Sequence, residues 1–202
     1  MRRIIKDEEP EFWSKYIARH PRENYDDLDK TDEGKCIRHE IRMHMLAQQQ
    51  YICCCCCKII NADNSHNEHI KPRDKYPNIS MEYTNLLVSC KGITCGEKKD
   101  RKFDERYFVS PLEEDCEEHF SYLQNGEIKG ETEAGKYTIE LLNLNEKSLK
   151  NSRHSLFKEC LQMKECCGKE YIESEYINPK DNKLPRFCGM VRYFMNRGYF
   201  DV

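Results

Sequence analysis

Cysteines open and nearly close the one stretch of this chain whose residue types point to a chemistry, Cys53 to Lys99. Five run consecutively, Cys53, Cys54, Cys55, Cys56 and Cys57, and Cys90 and Cys95 follow later. A zinc ion takes four soft ligands at the corners of a tetrahedron, and two cysteine pairs supply them. Cys53-x2-Cys56 with Cys90-x4-Cys95 suits a tight knuckle and a second loop that Gly92 can turn sharply. Cys54-x2-Cys57 fits the first half equally well, so spacing leaves the register open. Free thiols and an iron–sulfur centre are the rival uses. A zinc held this way would be structural, because four thiolates leave no position for substrate.

Between the cysteine pairs lie Glu68-His69 and Asn85. Adjacent residues on a strand point in opposite directions, which suits a division of labour. Glu68 can hold a hard divalent ion, Mg²⁺ or Mn²⁺. An imidazole of suitable pKa, that of His69, can take a proton from water. Asn85 can orient the histidine or lend an oxygen to the ion. Together these groups could hydrolyse a phosphodiester, the ion polarising the phosphate and stabilising the leaving oxygen. Taken alone, a Glu-His pair is most often surface decoration. The flanking cysteine pairs are what raise it to a candidate site.

These residues sit in a polar chain. Of 202 residues 34% are charged and mean hydropathy is −0.90, which fits one domain with a modest core. A metal clip would help such a core. No run of 18 or more apolar residues appears, so no membrane span is expected. Met1 to Glu9 has no apolar h-region, so it is not read as a signal peptide and a cytoplasmic location is expected. In a reducing compartment clustered cysteines more often bind metal than form disulfides. Cys36, Cys116, Cys160, Cys166, Cys167 and Cys188 read as small hydrophobes or free thiols. Net charge is −3, but Lys58 to Lys102 carries nine basic and six acidic residues, a local +3 that leaves −6 elsewhere. Lys71, Arg73, Lys98, Lys99, Arg101 and Lys102 are the candidate phosphate contacts. A solvated helix face explains the Lys98–Lys102 cluster equally well.

The elements that must position the site follow from periodicity. A short helix is expected around Phe12 to Ile17, after an irregular arm. Ile37, Ile41, His44 and Met45 lie on one face of a helix from about Lys35 to Gln49, with Asp32 as a weak cap. Tyr51-Ile52, Lys58 to Ile60 and His66 to Ile70 read as short strands, with a turn at Asn61 to Asn64. Tyr83 to Leu87 is a short apolar stretch, and a helix starts near Glu97. Asn125-Gly126 signals a hairpin between Phe120–Leu123 and Glu127–Lys129. Two helices are expected from Thr138 to Leu144 and from Glu146 to about Cys166, the second capped by Asn145. Ile172 to Lys183 reads as a loop, and Phe187 to Arg197 as a last short helix. The expected division is an arm and helix over 1–50, a core over 51–104, and a hairpin plus helical region over 105–202, forming one compact unit.

Glu68-His69-Ile70-x-Pro72, then Asn85-Leu86-Leu87-x-Ser89-Cys90, then Cys95-x3-Lys99 resembles the HNH endonuclease superfamily in its zinc-clipped ββα-metal form. Met1-Arg2-Arg3-Ile4 with Lys6 and Pro10, and Ile41 to Cys56 with Gln49, resemble the segments that lead into that core. Pro111-Leu112, Gly126-Glu127-Ile128, Thr138-Ile139, Leu142 to Asn145, Leu149 and Arg153 resemble those that follow. Over roughly residues 1–160 the order of motifs is similar to the PtuB-type HNH proteins of bacterial Septu and retron-associated anti-phage systems.

That resemblance implies an α+β fold, a ββα-metal (HNH) nuclease core with a four-cysteine zinc knuckle, surrounded by helical extensions at both ends. It implies a metal-dependent endonuclease partnered with a PtuA-type ATPase and acting on nucleic acid, with DNA ranked ahead of RNA. His69 takes the role of general base, Glu68 that of metal ligand and Asn85 the middle HNH position, while Lys99 matches the lysine after the last cysteine. The third HNH position holds Gly96, followed by Glu97. Glu97 serves as an oxygen ligand if the loop is shifted by one residue. His66 is a weaker substitute for that position, because a lone strand histidine is usually not a ligand. The alternatives are a zinc-stabilised interaction module with an impaired site, which Gly96 favours, and a toxin nuclease acting on RNA. The acidic remainder of the chain is expected to include the partner surface.

Overall fold

Thr31 and Thr132 each start a helix by accepting a hydrogen bond from a backbone N–H three residues on, at Gly34 and Gly135. In the computed structural model, which describes residues 1–99 and 102–201, these helices are α2 (Asp32–Gln48) and α4 (Glu133–Leu141). The side chains of Glu97 and Lys98, and all of Asp100, Arg101 and Val202, lie outside the described residues. The remaining helices are α1 (Glu11–Arg19), the single turn α3 (Gly96–Lys99), α5 (Lys147–Cys167), α6 (Lys169–Tyr176) and α7 (Cys188–Met195). Two antiparallel pairs complete the fold. β1 (Ser65–His69) pairs with β2 (Leu86–Cys90), and β3 (Phe120–Tyr122) pairs with β4 (Ile128–Gly130). The fold is mixed α and β, with small sheets and a buried cysteine cluster.

Register decides which residues share the site. Ser65 faces Cys90, His66 faces Ser89, Glu68 faces Leu87 and His69 faces Leu86. Every residue of β2 is buried, so this strand is covered on both faces. The core around it draws Trp13 and Tyr16 from α1, Ile41, Met45 and Leu46 from α2, and Phe157 and Phe194 from α5 and α7. Cys53 to Cys57 are all buried in the same core. Gln49, fully buried, fixes the cysteine turn to the sheet. Its amide donates to the carbonyls of Ile52 and Val88 and its carbonyl accepts from Val88 N–H at 2.7 Å.

Several expectations are corrected. Thr31, not Asp32, caps α2, which begins three residues earlier than the periodicity placed it. Residues 51–52 and 58–60 make a single bridge, Ile52 with Ile59, because the cysteine turn takes up the chain between them. Asn145 does not cap α5; Glu146 does, accepting from Ser148 N–H at 2.7 Å. Asn145 instead clasps β4, bonding both the N–H and the carbonyl of Ile128. The segment read as a loop after Ile172 carries α6, because Ile172 is an anchor buried completely. The hairpin forms at Asn125-Gly126, where Gly126 takes φ 81° and lies so close to α5 that a Cβ would meet the Lys150 carbonyl at 2.0 Å. Among the described residues no helix is long and apolar enough to cross a membrane.

Candidate metal centre and active site

Four thiols converge at the end of β2: Cys53, Cys56, Cys90 and Cys95, all buried. Sulfur–sulfur separations are 3.8 Å for Cys53–Cys95 and 3.7 Å for both Cys56–Cys90 and Cys90–Cys95. Four sulfurs at about 2.3 Å from one ion at tetrahedral angles would stand about 3.8 Å apart. No disulfide forms, since all thirteen cysteines are free. The spacing and the all-sulfur donor set therefore fit a soft metal ion. Cys95 turns into position with φ 62°, after Gly92 at φ 124°. Of the two registers that spacing left open, the structure brings Cys53 and Cys56 together with Cys90 and Cys95, while Cys53 also groups with Cys54 and Cys55. Cys54 Sγ lies against Cys55 Sγ at 3.5 Å, and the Cys57 carbonyl accepts from Phe187 N–H. Neither Cys54 nor Cys57 joins the four-sulfur group.

Beyond this cluster β1 carries Glu68 and His69 into one cleft of about 280 Å³, lined also by His66, Arg73, Asp74, Gly96 and Lys99. The two side chains diverge, as strand alternation requires. Glu68 points toward β2 and α3. Its Oε2 accepts from Ser89 Oγ at 3.0 Å and lies 3.2 Å from His66 Nε2, while Oε1 pairs with the buried Lys99 ammonium. Burial pushes the Glu68 carboxyl up, but the Lys99 charge and the His66 contact outweigh it and hold it down at about 2. A buried, charged carboxylate on the cleft wall is suited to a divalent cation.

His69 points the other way, packed edge-on against Tyr25 with ring centroids 4.5 Å apart. Its Nε2 lies 3.0 Å from the Ser80 carbonyl. A carbonyl only accepts, so Nε2 carries the proton and Nδ1 keeps its lone pair. Burial lowers the His69 pKa to about 4, a shift the Ser80 contact only partly offsets. The ring is therefore neutral at pH 7 and can act as a base. This pKa makes the fold acid-sensitive. Between pH 6.5 and about 4 the unfolded chain protonates this histidine and the folded chain does not, so stability falls as pH drops through that window. Glu68 adds a second loss from pH 4.5 down to about 2. Melting temperatures taken from pH 7 to pH 4 should fall, and His69→Gln should flatten the upper part of that fall. An unchanged slope in the variant would assign the acid sensitivity to other groups.

Asn85 does not touch the His69 ring, which corrects the expectation that it orients the imidazole directly. It sits at the start of β2 and pins the loop that follows β1. Its carbonyl accepts from Lys71 N–H at 2.8 Å, and its amide donates to the carbonyls of Lys71 at 3.1 Å and Ile79 at 3.2 Å. Ser80, the residue after Ile79, supplies the carbonyl on His69, so Asn85 holds the loop that meets the imidazole. From the other side Lys6 donates to the carbonyls of Leu86, at 2.6 Å, and Tyr83. Asn85→Ala would leave three backbone groups without partners. We expect a loss on the order of 2–3 kcal/mol and a melting temperature lower by roughly 5–10 °C. A melt unchanged within a degree would show that Lys6 and the loop prolines hold the segment unaided.

The basic residues divide. Arg73 lines the cleft in a half-exposed pair with Asp26, Lys71 forms a half-exposed pair with Glu105, and Lys102 is exposed. Such exposed pairs contribute little and yield easily to a phosphate. Lys99 does not belong with them. It is buried, its ammonium held by Glu68 and by the His69 carbonyl on the cleft wall. Lys98 and Glu97 are described by backbone alone, and Arg101 lies outside the described residues. Two residues at the centre of the geometry were missed or discounted, Ser89 and His66. The signal was the i, i+2 spacing of His66 and Glu68 on one strand face.

No family model matches the chain. It is similar to a protein of Vibrio cholerae serotype O1 biovar El Tor named as an HNH endonuclease of retron Vc95, at 35% identity over 127 residues. That match covers 55% of this chain and 60% of the relative. It is also 33% identical over 79 residues to a Bacillus thuringiensis protein named Septu protein PtuB, covering 39% of this chain and 30% of that one. The chain thus spans less than two thirds of either relative.

Proposed function

We propose, from its similarity to the retron Vc95 and Septu PtuB relatives, that the chain is a metal-dependent endonuclease subunit of a bacterial anti-phage system, with its nuclease core over residues 51–104. In this reading β1, β2 and α3 form a ββα-metal core. The arm before it and the hairpin and helices after it, over 1–50 and 105–202, complete one unit. The observation that carries the proposal is the cleft in which a buried, ionised Glu68 and a neutral His69 diverge from adjacent positions of one strand.

Zinc in the Cys53, Cys56, Cys90 and Cys95 site is structural, a clip holding the end of β2 against the cysteine turn. Glu68 would hold a divalent ion, Mg²⁺ or Mn²⁺, which when bound would supply positive charge for the scissile phosphate and the leaving oxygen. The other roles belong to the chain. Ser89 and Lys99 hold the carboxylate in place. The Ser80 carbonyl holds Nε2–H of His69, so that Nδ1 takes the proton of the attacking water. As that proton leaves, the water oxygen bonds to phosphorus and the P–O ester bond on the opposite side breaks. Lys71, Arg73 and Lys102 provide charge for the polymer backbone.

The partner is a PtuA-type ATPase, which the name of the Bacillus thuringiensis relative supports, docking on the acidic remainder of the chain. DNA is the favoured polymer. Incubating the purified chain with supercoiled plasmid and with total RNA, with Mg²⁺ or Mn²⁺ and with the ATPase encoded beside it, tests this reading. Metal-dependent nicking of the plasmid is expected. Cleavage of RNA alone would move the reading to an RNA-acting toxin. No cleavage of either would favour the second reading, a zinc-clipped interaction module, for which Gly96 at the third HNH position speaks.

A further inference from the structure

Position 96 is where the order of motifs places a third metal-binding side chain, and glycine offers none. The geometry around it explains why a ligand there is dispensable. A Cβ built on Gly96 would lie 1.6 Å from Glu68 Oε2 and 2.9 Å from His66 Nε2. The space a side chain at 96 would enter is the space toward which His66 and Glu68 already converge. His66 and Glu68 are two residues apart on β1 and share one face. Their Nε2 and Oε2 atoms stand 3.2 Å apart. Two ligands about 2.1–2.2 Å from one ion at right angles would be separated by about 3 Å. Ser89, opposite His66 in the sheet, approaches both atoms, at 3.1 and 3.0 Å. The His66 side chain is 26% exposed and lines the cleft, so an ion arriving from solvent reaches it.

We infer that His66 is the nitrogen ligand of the catalytic ion, taking over with Glu68 the place that Gly96 leaves open. The inference rests on the reading of this cleft as a metal-dependent nuclease site. It adds a preference that oxygen ligands alone would not give. Imidazole suits softer divalent ions, so Mn²⁺ or Co²⁺ should bind in preference to Mg²⁺. Ser89 stays in a supporting place, its hydroxyl fixing the carboxylate.

The test is Mn²⁺ binding to the zinc-loaded full chain without substrate, followed by the loss of the free-ion electron paramagnetic resonance signal. Pulsed measurements on the bound ion would then look for nitrogen modulation from a coordinated imidazole. One Mn²⁺ per chain is expected, with nitrogen modulation that persists in His69→Ala and vanishes in His66→Asn. Affinity in His66→Asn should fall at least about tenfold, with zinc content and melting temperature unchanged. If Glu68→Ala loses Mn²⁺ while His66→Asn binds it as the wild type does, the role of His66 is overturned and the nuclease reading stands. If the wild type binds no Mn²⁺ beyond its zinc, with or without a DNA oligonucleotide, both fall together.

Discussion

His69→Ala should lower the rate of phosphodiester cleavage by about 10²–10⁴-fold while leaving zinc content and fold intact. The size follows from the role proposed for Nδ1. Water is a poor nucleophile until it loses a proton, and the Ser80 carbonyl fixes the His69 tautomer so that Nδ1 keeps its lone pair. Burial holds its pKa down at about 4, so the base is not lost to protonation at neutral pH. Removing the ring deletes one hydrogen bond to Ser80 and one edge contact with Tyr25, which should cost stability only modestly. His69→Gln makes the sharper variant, because an amide can still donate to the Ser80 carbonyl but cannot take up the water proton. Initial rates on a plasmid, beside zinc analysis and a thermal melt, check this. A variant within threefold of wild type would remove His69 from the chemistry.

Loss of the metal clip should be the largest effect on stability. Cys90→Ser is expected to reduce zinc to well below one per chain and to abolish the cooperative melt. A structural zinc site contributes about 10–16 kcal/mol of apparent binding free energy, against a net stability of about 5–15 kcal/mol for a whole domain. Cys90 is the informative choice because its sulfur lies 3.7 Å from both Cys56 and Cys95, and its own N–H donates to Cys53 Sγ at 3.3 Å. Cys54→Ser and Cys57→Ser are the contrast. Both residues are buried in the same turn but outside the four-sulfur group, so both variants should keep one zinc. Zinc per chain by a colorimetric chelator and unfolding by circular dichroism give the readouts. Equal zinc loss in Cys54→Ser and Cys90→Ser would mean that the register is the alternative one.

Parts of this architecture can be read directly from residue order, and the limits have physical causes. The hairpin at Asn125-Gly126 is legible because that dipeptide tolerates the positive φ that Gly126 adopts. The helix through Ile37, Ile41 and Met45 is legible because its buried face repeats with the helical period. α6 is not, since a single buried Ile172 among charged residues makes no stripe. The cysteine register is hidden from spacing because five identical neighbours offer two equivalent pairs; in the fold Gln49 ties Ile52, just before the turn, to Val88 of β2. Within the site, Glu68 and His69 stand out as neighbours that a strand must point apart. Asn85 stands out by type, but its actual partners, Lys71 and Ile79, are loop backbone groups that no motif encodes. Lys99 reads as a surface cation because lysine usually is one. Only the fold reveals the buried carboxylate it serves. His66 becomes informative only once Gly96 is seen against it.

The central claim is that this cleft hydrolyses phosphodiesters with a divalent ion distinct from the zinc. Plasmid nicking by the chain with the proposed ATPase and nucleotide, with zinc first counted and Mn²⁺ then titrated, tests it most directly. With one zinc per chain and no added ion, nicking should be absent; it should rise and saturate with Mn²⁺ in the wild type and stay absent in His69→Ala. Nicking that proceeds equally without Mn²⁺, survives in His69→Ala, or never appears at any Mn²⁺ concentration would contradict the account.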